Sequence, residues 1–171
     1  MQKTSPVDVG LDRKQSSRPP ILNHLHSKSD EDLLTIFRNC VRALTYGPNE
    51  NAVQVVRGIE QEWQRRLKGS SCDPRPNEGM LAALGYHVGS NGEKLAVRRR
   101  ILKHVLEGEL PVVGSVAYTA EWGRPSTQKR FDKLTRFFRG MLEAAQNNPS
   151  MRSAMAQWQA DLDWVIEQCA E

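Results

Sequence analysis

The sequence predicts an all-α protein of about seven helices, in which an N-terminal αα-hairpin packs on a C-terminal helical bundle. Two observations lead to this fold class. Apolar residues recur every three or four positions along the longer stretches of the chain. No stretch alternates apolar and polar residues for long enough to predict a strand. With 171 residues and 39% hydrophobic content, the chain is large enough for one domain with a sizeable core.

Residues 1–28 are expected to form a disordered, flexible N-terminal arm. Prolines such as Pro19 and Pro20 interrupt them, and no helical period is sustained. Order is expected to begin at Ser29, because Ser29 and Asp32 have the spacing of a capping box.

Residues 29–68 are predicted to form a helical hairpin. The apolar face of the first helix consists of Leu33, Ile36, Phe37, Cys40, Val41 and Leu44. Gly47 and Pro48 end that helix, and a second runs from about Glu50 to Lys68. Its apolar stripe is predicted to be Val53, Val56, Ile59 (or Glu60), Trp63 and Leu67, with Glu62, Arg65 and Arg66 facing outward. Because about four residues join the two helices, we expect them to lie antiparallel.

Residues 77–171 are predicted to form a helical domain that packs with the hairpin as one compact unit. Its helices are expected at about 77–84, 93–107, a short stretch after Ser115, 126–146 and 150–169. Pro111 cannot continue a helix, so Leu110–Gly114 is expected to be extended.

The segment 79–125 contains the most distinctive residues of the chain. These are Leu84-Gly85-Tyr86-His87-Val88-Gly89, Arg98-Arg99-Arg100-Ile101-Leu102, Leu110-Pro111 and Glu121-Trp122-Gly123-Arg124-Pro125. This arrangement resembles that of an uncharacterised bacterial protein family, and the similarity covers about the last two-thirds of the chain. The resemblance implies a bacterial cytoplasmic protein with one recurring domain, and it brings no activity with it.

We interpret six residues of this segment as a structural motif: Gly85, Tyr86, Gly89, Trp122, Gly123 and Pro125. Gly85 and Gly89 are expected at positions where the backbone needs positive φ or a close approach, in a tight connection between helices. Trp122 is expected to fill a corner, with its indole N–H bonded to the backbone. The alternative is a phosphate cradle. It is disfavoured because no Gly-Lys-Ser/Thr closes the turn and Glu93 would repel phosphate.

Positive charge is concentrated in residues 94–139, which hold 11 Lys/Arg against 4 Asp/Glu, whereas the whole chain carries only +4. The candidates for nucleic-acid binding are Arg98, Arg99, Arg100 and Lys103 on the fourth helix and Lys129, Lys133, Arg136 and Arg139 on the sixth, with Arg130 slightly offset. Such arrays attract a phosphate backbone through counterion release. With 77–84 as a first helix, the fourth helix would resemble the second helix of a helix-turn-helix. The alternative is a solvated charged face, partly paired with acidic residues such as Asp132.

The three cysteines, Cys40, Cys72 and Cys169, are widely separated and form no CxxC. No metal or cofactor site is predicted, and reduced thiols are typical of a cytoplasmic protein. No apolar run reaches membrane-spanning length, and the N-terminus lacks the pattern of a secretory signal. No motif marks a catalytic nucleophile, so enzymatic activity is uncertain and we favour its absence.

Two functional hypotheses remain. The first is a non-enzymatic binding or regulatory protein of the bacterial cytoplasm that contacts DNA or RNA through the helices 93–107 and 126–146. The alternative is a protein–protein interaction module or homo-oligomeric adaptor, whose partner is another protein or a second copy of this chain.

Overall fold

The computed structural model describes residues 18–68, 75 and 77–168, and within them the fold is all-α, as predicted. The helices are α1 Asp30–Leu44, α2 Glu50–Leu67, α3 Met80–Ala83, α4 Leu95–Glu107, α5 Val116–Ala120, α6 Gln128–Ala145 and α7 Arg152–Gln168. No described residue lies in a strand. Within the same ranges, no helix combines the length and the apolar character needed to cross a membrane.

The predicted N-terminal arm extends too far along the chain. Its residues 1–17 lie outside the described residues, but Pro20–Asn23 and Leu25–Ser27 form two 3₁₀ turns. These turns pack on α2, where a Cβ at Gly58 would lie 2.6 Å from Leu22 and 3.0 Å from Leu25. Leu25 is buried as a result. The absence of a side chain at Gly58 is what lets this short segment settle on the helix.

The first two helices form the predicted antiparallel hairpin. The capping box is confirmed, since the Asp32 N–H donates to Ser29 Oγ at 3.0 Å. Asn49 caps the start of α2 in the same way, by accepting a hydrogen bond from the N–H of Ala52. Arg66, near the end of α2, forms an ion pair of 2.5 Å with Asp30 at the start of α1. That contact requires the two helices to run in opposite directions.

The predicted inward and outward faces of α2 need correction. Its buried residues are Ala52, Val55, Val56, Ile59, Glu62 and Trp63. Glu62 was expected to face outward. It is buried because Arg65 and Arg66 donate to its carboxylate at 2.6 and 2.8 Å, which replaces its hydration. The hydrogen bond from Arg65 is the main cause that lowers the pKa of Glu62 to about 2.

The C-terminal portion is arranged around the hairpin of α6 and α7. Between α4 and α5 the chain is extended over 110–114 as predicted, with Pro111 and Val113 buried. The N–H of Val112 donates to Glu60 of α2 at 3.0 Å, which ties this stretch to the N-terminal hairpin.

The buried apolar residues form one cluster to which the hairpin and the later helices both contribute. Within it, the rings of Phe37 and Trp63 lie 5.0 Å apart between centroids. The rings of Tyr86 and Phe138 lie 5.9 Å apart and pack edge to face. The division of the chain into a hairpin of residues 29–68 and a helical domain of residues 77–171 stays a prediction.

Candidate nucleic-acid interface and apolar cleft

The three consecutive arginines of α4 point in three directions, because successive residues of a helix are rotated by about 100°. Arg98 points into the protein and is only 5% exposed. Its Nε lies 2.7 Å from Oδ2 of Asp161 on α7. Arg98 is therefore not on the solvent face. This placement corrects its selection as a surface candidate, since periodicity alone did not show which arginine faces the core.

A buried polar network surrounds Asp161, which is 0% exposed. The Tyr86 hydroxyl donates to its carboxylate at 2.7 Å, and Arg98 also donates to the carbonyl of Glu93 at 2.8 Å. Burial, together with the neighbouring carboxylate, raises the pKa of Tyr86, so this hydroxyl remains a donor at neutral pH. The network fastens α7 to α4 and to the glycine-containing turn before α4.

The glycine turn has the backbone conformation that the sequence predicts. Gly85 has φ +86 and Gly89 has φ +98, both in the left-handed region. The N–H of Gly89 donates to Gln157 of α7 at 2.9 Å. The N–H groups of Gly85, Gly92 and Glu93 all donate to backbone carbonyls. A phosphate cradle needs free N–H groups, so these bonds favour the structural interpretation of the turn.

Trp122 occupies a buried corner, as expected, and is 2% exposed. The predicted hydrogen bond of its indole is wrong, because Nε1 has no acceptor among the described residues. The corner is held instead by Arg130, which is also 2% exposed. Its guanidinium donates to the carbonyls of Val105, Gly108 and Gly123. Arg130 thus joins the end of α4 to the start of α6 and does not belong to the surface charges.

The solvent face of α4 carries Arg99 and Arg100, which are half-buried, and Lys103, which is exposed. The Nε atom of Arg99 is buried and has no hydrogen-bond partner among the described residues. The guanidinium carbon of Arg100 lies 3.5 Å from the ring centroid of Tyr46, which is 72% exposed. On the other flank, Arg99 lies 5.6 Å from the ring centroid of Trp164 on α7. Lys103 is exposed between them, 4.0 Å from Glu107. The face therefore combines cations with two aromatic rings.

Sequence reasoning missed both of these rings. Tyr46 lies in the turn after α1, outside every predicted apolar stripe. That position was the one indication in the sequence that its ring could be exposed. Trp164 is one position from Val165, which is buried, so periodicity left its orientation open.

The solvent face of α6 carries Lys129, Arg136 and Arg139, all exposed. Lys133 is different, since it forms an ion pair of 2.5 Å with Glu121 and lies 5.2 Å from the ring centroid of Tyr118. The two groups of cations therefore have different neighbours. Those of α4 lie beside α7 and the turn after α1, and Lys133 of α6 lies beside α5. The helix-turn-helix resemblance has no support, because α3 has four residues instead of the eight predicted.

A separate cleft of about 740 Å³ opens between α3, the glycine turn, α6 and α7. Its apolar lining includes Met80, Tyr118, Trp122, Phe137, Met141, Met151 and Trp158. Ser90, Asn91 and Ser153 supply polar groups at the cleft wall. This volume and composition are typical of a ligand or side-chain pocket.

Among the described residues, the other reactive side chains do not assemble into a site. Cys40 is a free, half-buried thiol whose pKa is raised by burial, and Cys72 and Cys169 lie outside the described residues. Across the ranges that the structure covers, no three His, Cys, Asp or Glu side chains converge as metal ligands.

Comparison of the chain with family models, with curated proteins and with solved structures found no match. The function of this chain therefore has to be inferred from the geometry of its two surfaces, the cationic faces and the apolar cleft.

Proposed function

We propose that this chain is a non-enzymatic binding protein of the bacterial cytoplasm that contacts nucleic acid through the solvent faces of α4 and α6. The observation that carries the proposal is the placement of Arg99, Arg100 and Lys103 within little more than one turn of α4, outside the core. Lys103 has an exposed carboxylate neighbour in Glu107, but the two groups are 4.0 Å apart, a distance at which water and salt screen the pair.

The solvent face of α6 adds charge to the same proposal. Lys129, Arg136 and Arg139 are exposed. Asp132, on the same helix, accepts a hydrogen bond from the side-chain amide of Gln128 at 2.8 Å. A nucleic acid long enough to reach the three cations on each helix makes about six phosphate contacts, for which the logarithm of the affinity falls with the logarithm of salt at a slope of about −4 to −5.

The test is a titration of the full chain with fluorescently labelled DNA, read by anisotropy at several salt concentrations. The affinity is expected to fall by roughly a thousandfold between about 50 and 200 mM salt. The double variant Arg100→Gln with Lys103→Gln should bind more weakly and show a shallower salt slope.

A matched control removes the same amount of charge elsewhere. Arg57 and Lys68 are exposed cations of α2 and of the position after it. The double variant Arg57→Gln with Lys68→Gln should leave affinity and slope close to those of the unmodified chain. Absence of binding at low salt, or an affinity that does not change with salt, contradicts the proposal.

A second candidate, a protein–protein interaction module or homo-oligomeric adaptor, is favoured by the apolar cleft. Met80, Met141 and Met151 line it, and flexible thioether side chains adapt to different apolar partners. If a second copy fills the cleft, sedimentation velocity will show a mass that rises with concentration. The change Met141→Glu should then hold the chain as a monomer, and Ile166→Glu, at an exposed site on α7, should not. A constant monomer mass removes the second copy as the occupant.

A further inference from the structure

We infer that the solvent face of α4 is a binding site for single-stranded nucleic acid, in which an unpaired base stacks on Tyr46. This inference rests on the proposed function and adds the class of nucleic acid and the residue that recognises the base. It draws on an aromatic side chain that the charge pattern did not include.

Tyr46 is exposed although it is large and apolar. It follows α1 in the connection to α2, and 72% of its surface is accessible. Arg100 lies 3.5 Å from the ring centroid and so covers one side of the ring. This contact places the guanidinium over the ring, and most of the tyrosine stays accessible to solvent. An open aromatic surface backed by a cation is a stacking platform for a base.

Two arginines lie next to this ring. Arg42 and Arg100 line a shallow pocket of about 130 Å³ beside Tyr46, and the Thr45 hydroxyl at its wall already donates to the carbonyl of Arg42. Arg42 is exposed and forms no ion pair with any described residue. Glu93 also lines the pocket, so the two arginines leave a net positive charge of one. A phosphate next to a stacked base is complementary to this charge.

The opposite flank of α4 repeats the pairing of a cation with a ring. Arg99 lies 5.6 Å from the ring centroid of Trp164, which is half-buried. Lys103 lies between Arg99 and Arg100 around the helix, since the two arginines are about 100° apart. The face therefore runs from ring to cations to ring across one helix, about 10–12 Å wide with its side chains.

Duplex DNA does not suit this face as well as a single strand. Bases in a duplex are stacked on one another, and their flat surfaces are not available to a protein ring. A helix of four residues before α4 also does not form the helix-turn-helix frame that presents a helix to the major groove. Unpaired bases, in contrast, stack on tyrosine and tryptophan with little dependence on sequence.

The experiment compares binding of the full chain to labelled oligothymidine and to a hairpin duplex of equal length, both at low salt. The unmodified chain is expected to bind the single strand about tenfold more tightly than the duplex, because a stacked base adds to the affinity of the single strand alone. Tyr46→Leu should weaken single-strand binding by roughly 5- to 100-fold while the salt slope stays unchanged, because stacking releases no counterions. Arg100→Gln should weaken binding and reduce the slope by about 0.7.

Two controls separate stacking from other causes. Tyr46→Phe keeps the ring and should bind as the unmodified chain does. Val116→Ala shortens another exposed apolar side chain, on α5, and should change nothing. Because Tyr46 is exposed, Tyr46→Leu should keep the unfolding midpoint in urea within the error of measurement.

The outcomes distinguish this inference from the proposed function. Equal affinity for single strand and duplex, with Tyr46→Leu unchanged and a steep salt slope retained, overturns the stacking site and leaves the nucleic-acid proposal standing. Loss of binding in Tyr46→Phe as large as in Tyr46→Leu also overturns it, because the hydroxyl and not the ring is then responsible. Absence of binding to either probe overturns both.

Discussion

The two faces of α4 use the same residue type for opposite purposes. Arg98 is 5% exposed and lies 2.7 Å from the buried carboxylate of Asp161. Arg100, two positions later, is half-buried and lies over the exposed ring of Tyr46. Consecutive basic residues on a helix therefore do not share one environment or one role. Its members divide between core and solvent according to their angle around the helix axis.

The buried face is the more sensitive of the two, because its charges have left water. Arg98 uses Nε and Nη2 for Asp161 and Nη1 for the carbonyl of Glu93, and Tyr86 fills a further acceptor site of the carboxylate. Such a network is stable while complete, and removal of one partner leaves a buried charge without compensation. The solvent face has no such dependence, since water replaces any group that is lost.

The largest expected effect is that of Arg98→Ala. It leaves Asp161 buried and unpaired, and we expect the free energy of unfolding to fall by about 3–5 kcal/mol. Urea denaturation followed by circular dichroism measures this change. The matched substitution Arg100→Ala on the solvent face should cost less than about 1 kcal/mol. Equal losses in the two variants would show that the two faces of α4 do not differ as described.

Tyr86→Phe is the next most damaging change. It removes the donor to Asp161 but leaves the Arg98 pair and the ring packing against Phe138 in place. The expected loss is about 2 kcal/mol, the usual range for a hydrogen bond to a charged group. Thermal unfolding gives the measurement. The hydroxyl contributes nothing to the network if two results are found together. Tyr86→Phe then has the stability of the unmodified chain, and the double variant Tyr86→Phe with Arg98→Ala has the stability of Arg98→Ala.

Acidification extends the comparison to other buried groups. Hydrogen bonding by Arg65 is the main cause that lowers the pKa of Glu62 to about 2, so its contribution to stability is complete above about pH 4.5 and is lost as the pH falls toward 2. Burial lowers the pKa of His104, so its contribution is lost as the pH falls below about 6.5.

The unfolding midpoint in urea should therefore fall in two stages as the pH is lowered. For Glu62 we expect about 1 kcal/mol, a value reduced because Arg65 is largely exposed and screened. Glu62→Gln should remove the stage below pH 4.5 and keep the stage near pH 6. A stability that rises as the pH falls below about 6.5 is incompatible with the pKa shift of His104, and one that rises below about pH 4.5 is incompatible with that of Glu62.

The smallest effect on stability is expected from Lys103→Gln. Its ammonium group is exposed and only 4.0 Å from Glu107, so the change should stay within about 0.5 kcal/mol. Its effect on nucleic-acid binding should nevertheless be measurable as a reduced salt slope in the anisotropy titration. A large loss of stability in this variant would show that Lys103 stabilises the fold, as Arg98 does, and does not belong to the solvent face.

Much of the fold was predictable because its signals are local. The capping box of Ser29 and Asp32 lies within one turn, and the positive φ of Gly85 and Gly89 follows from glycine in a tight connection. The same local signals misjudged Glu62, whose burial depends on two arginines closing over it. They also extended the arm through Leu25, whose burial depends on the missing side chain of Gly58 on another helix.

The candidate site was predictable only in outline. The charge run on α4 was visible, but the partner of Arg98 is Asp161, 63 residues away, and the ring beside Arg100 lies on a different element. Helical periodicity describes neighbours within one helix, so it could predict neither of these contacts. The cleft is similarly composed of residues from several parts of the chain, each of which by itself was only a core candidate.

Residue order alone thus established which longer segments are helical, their ends to within about two residues, and where positive charge accumulates, because hydrophobic periodicity, capping and glycine conformation act over a few residues. Packing decided which of those charges are structural and which are free to bind. The physical reason is that the energy of a charged side chain depends on its dielectric surroundings and on its hydrogen-bond partners. In α4 those partners come from helices that are distant in sequence and adjacent only in the folded molecule.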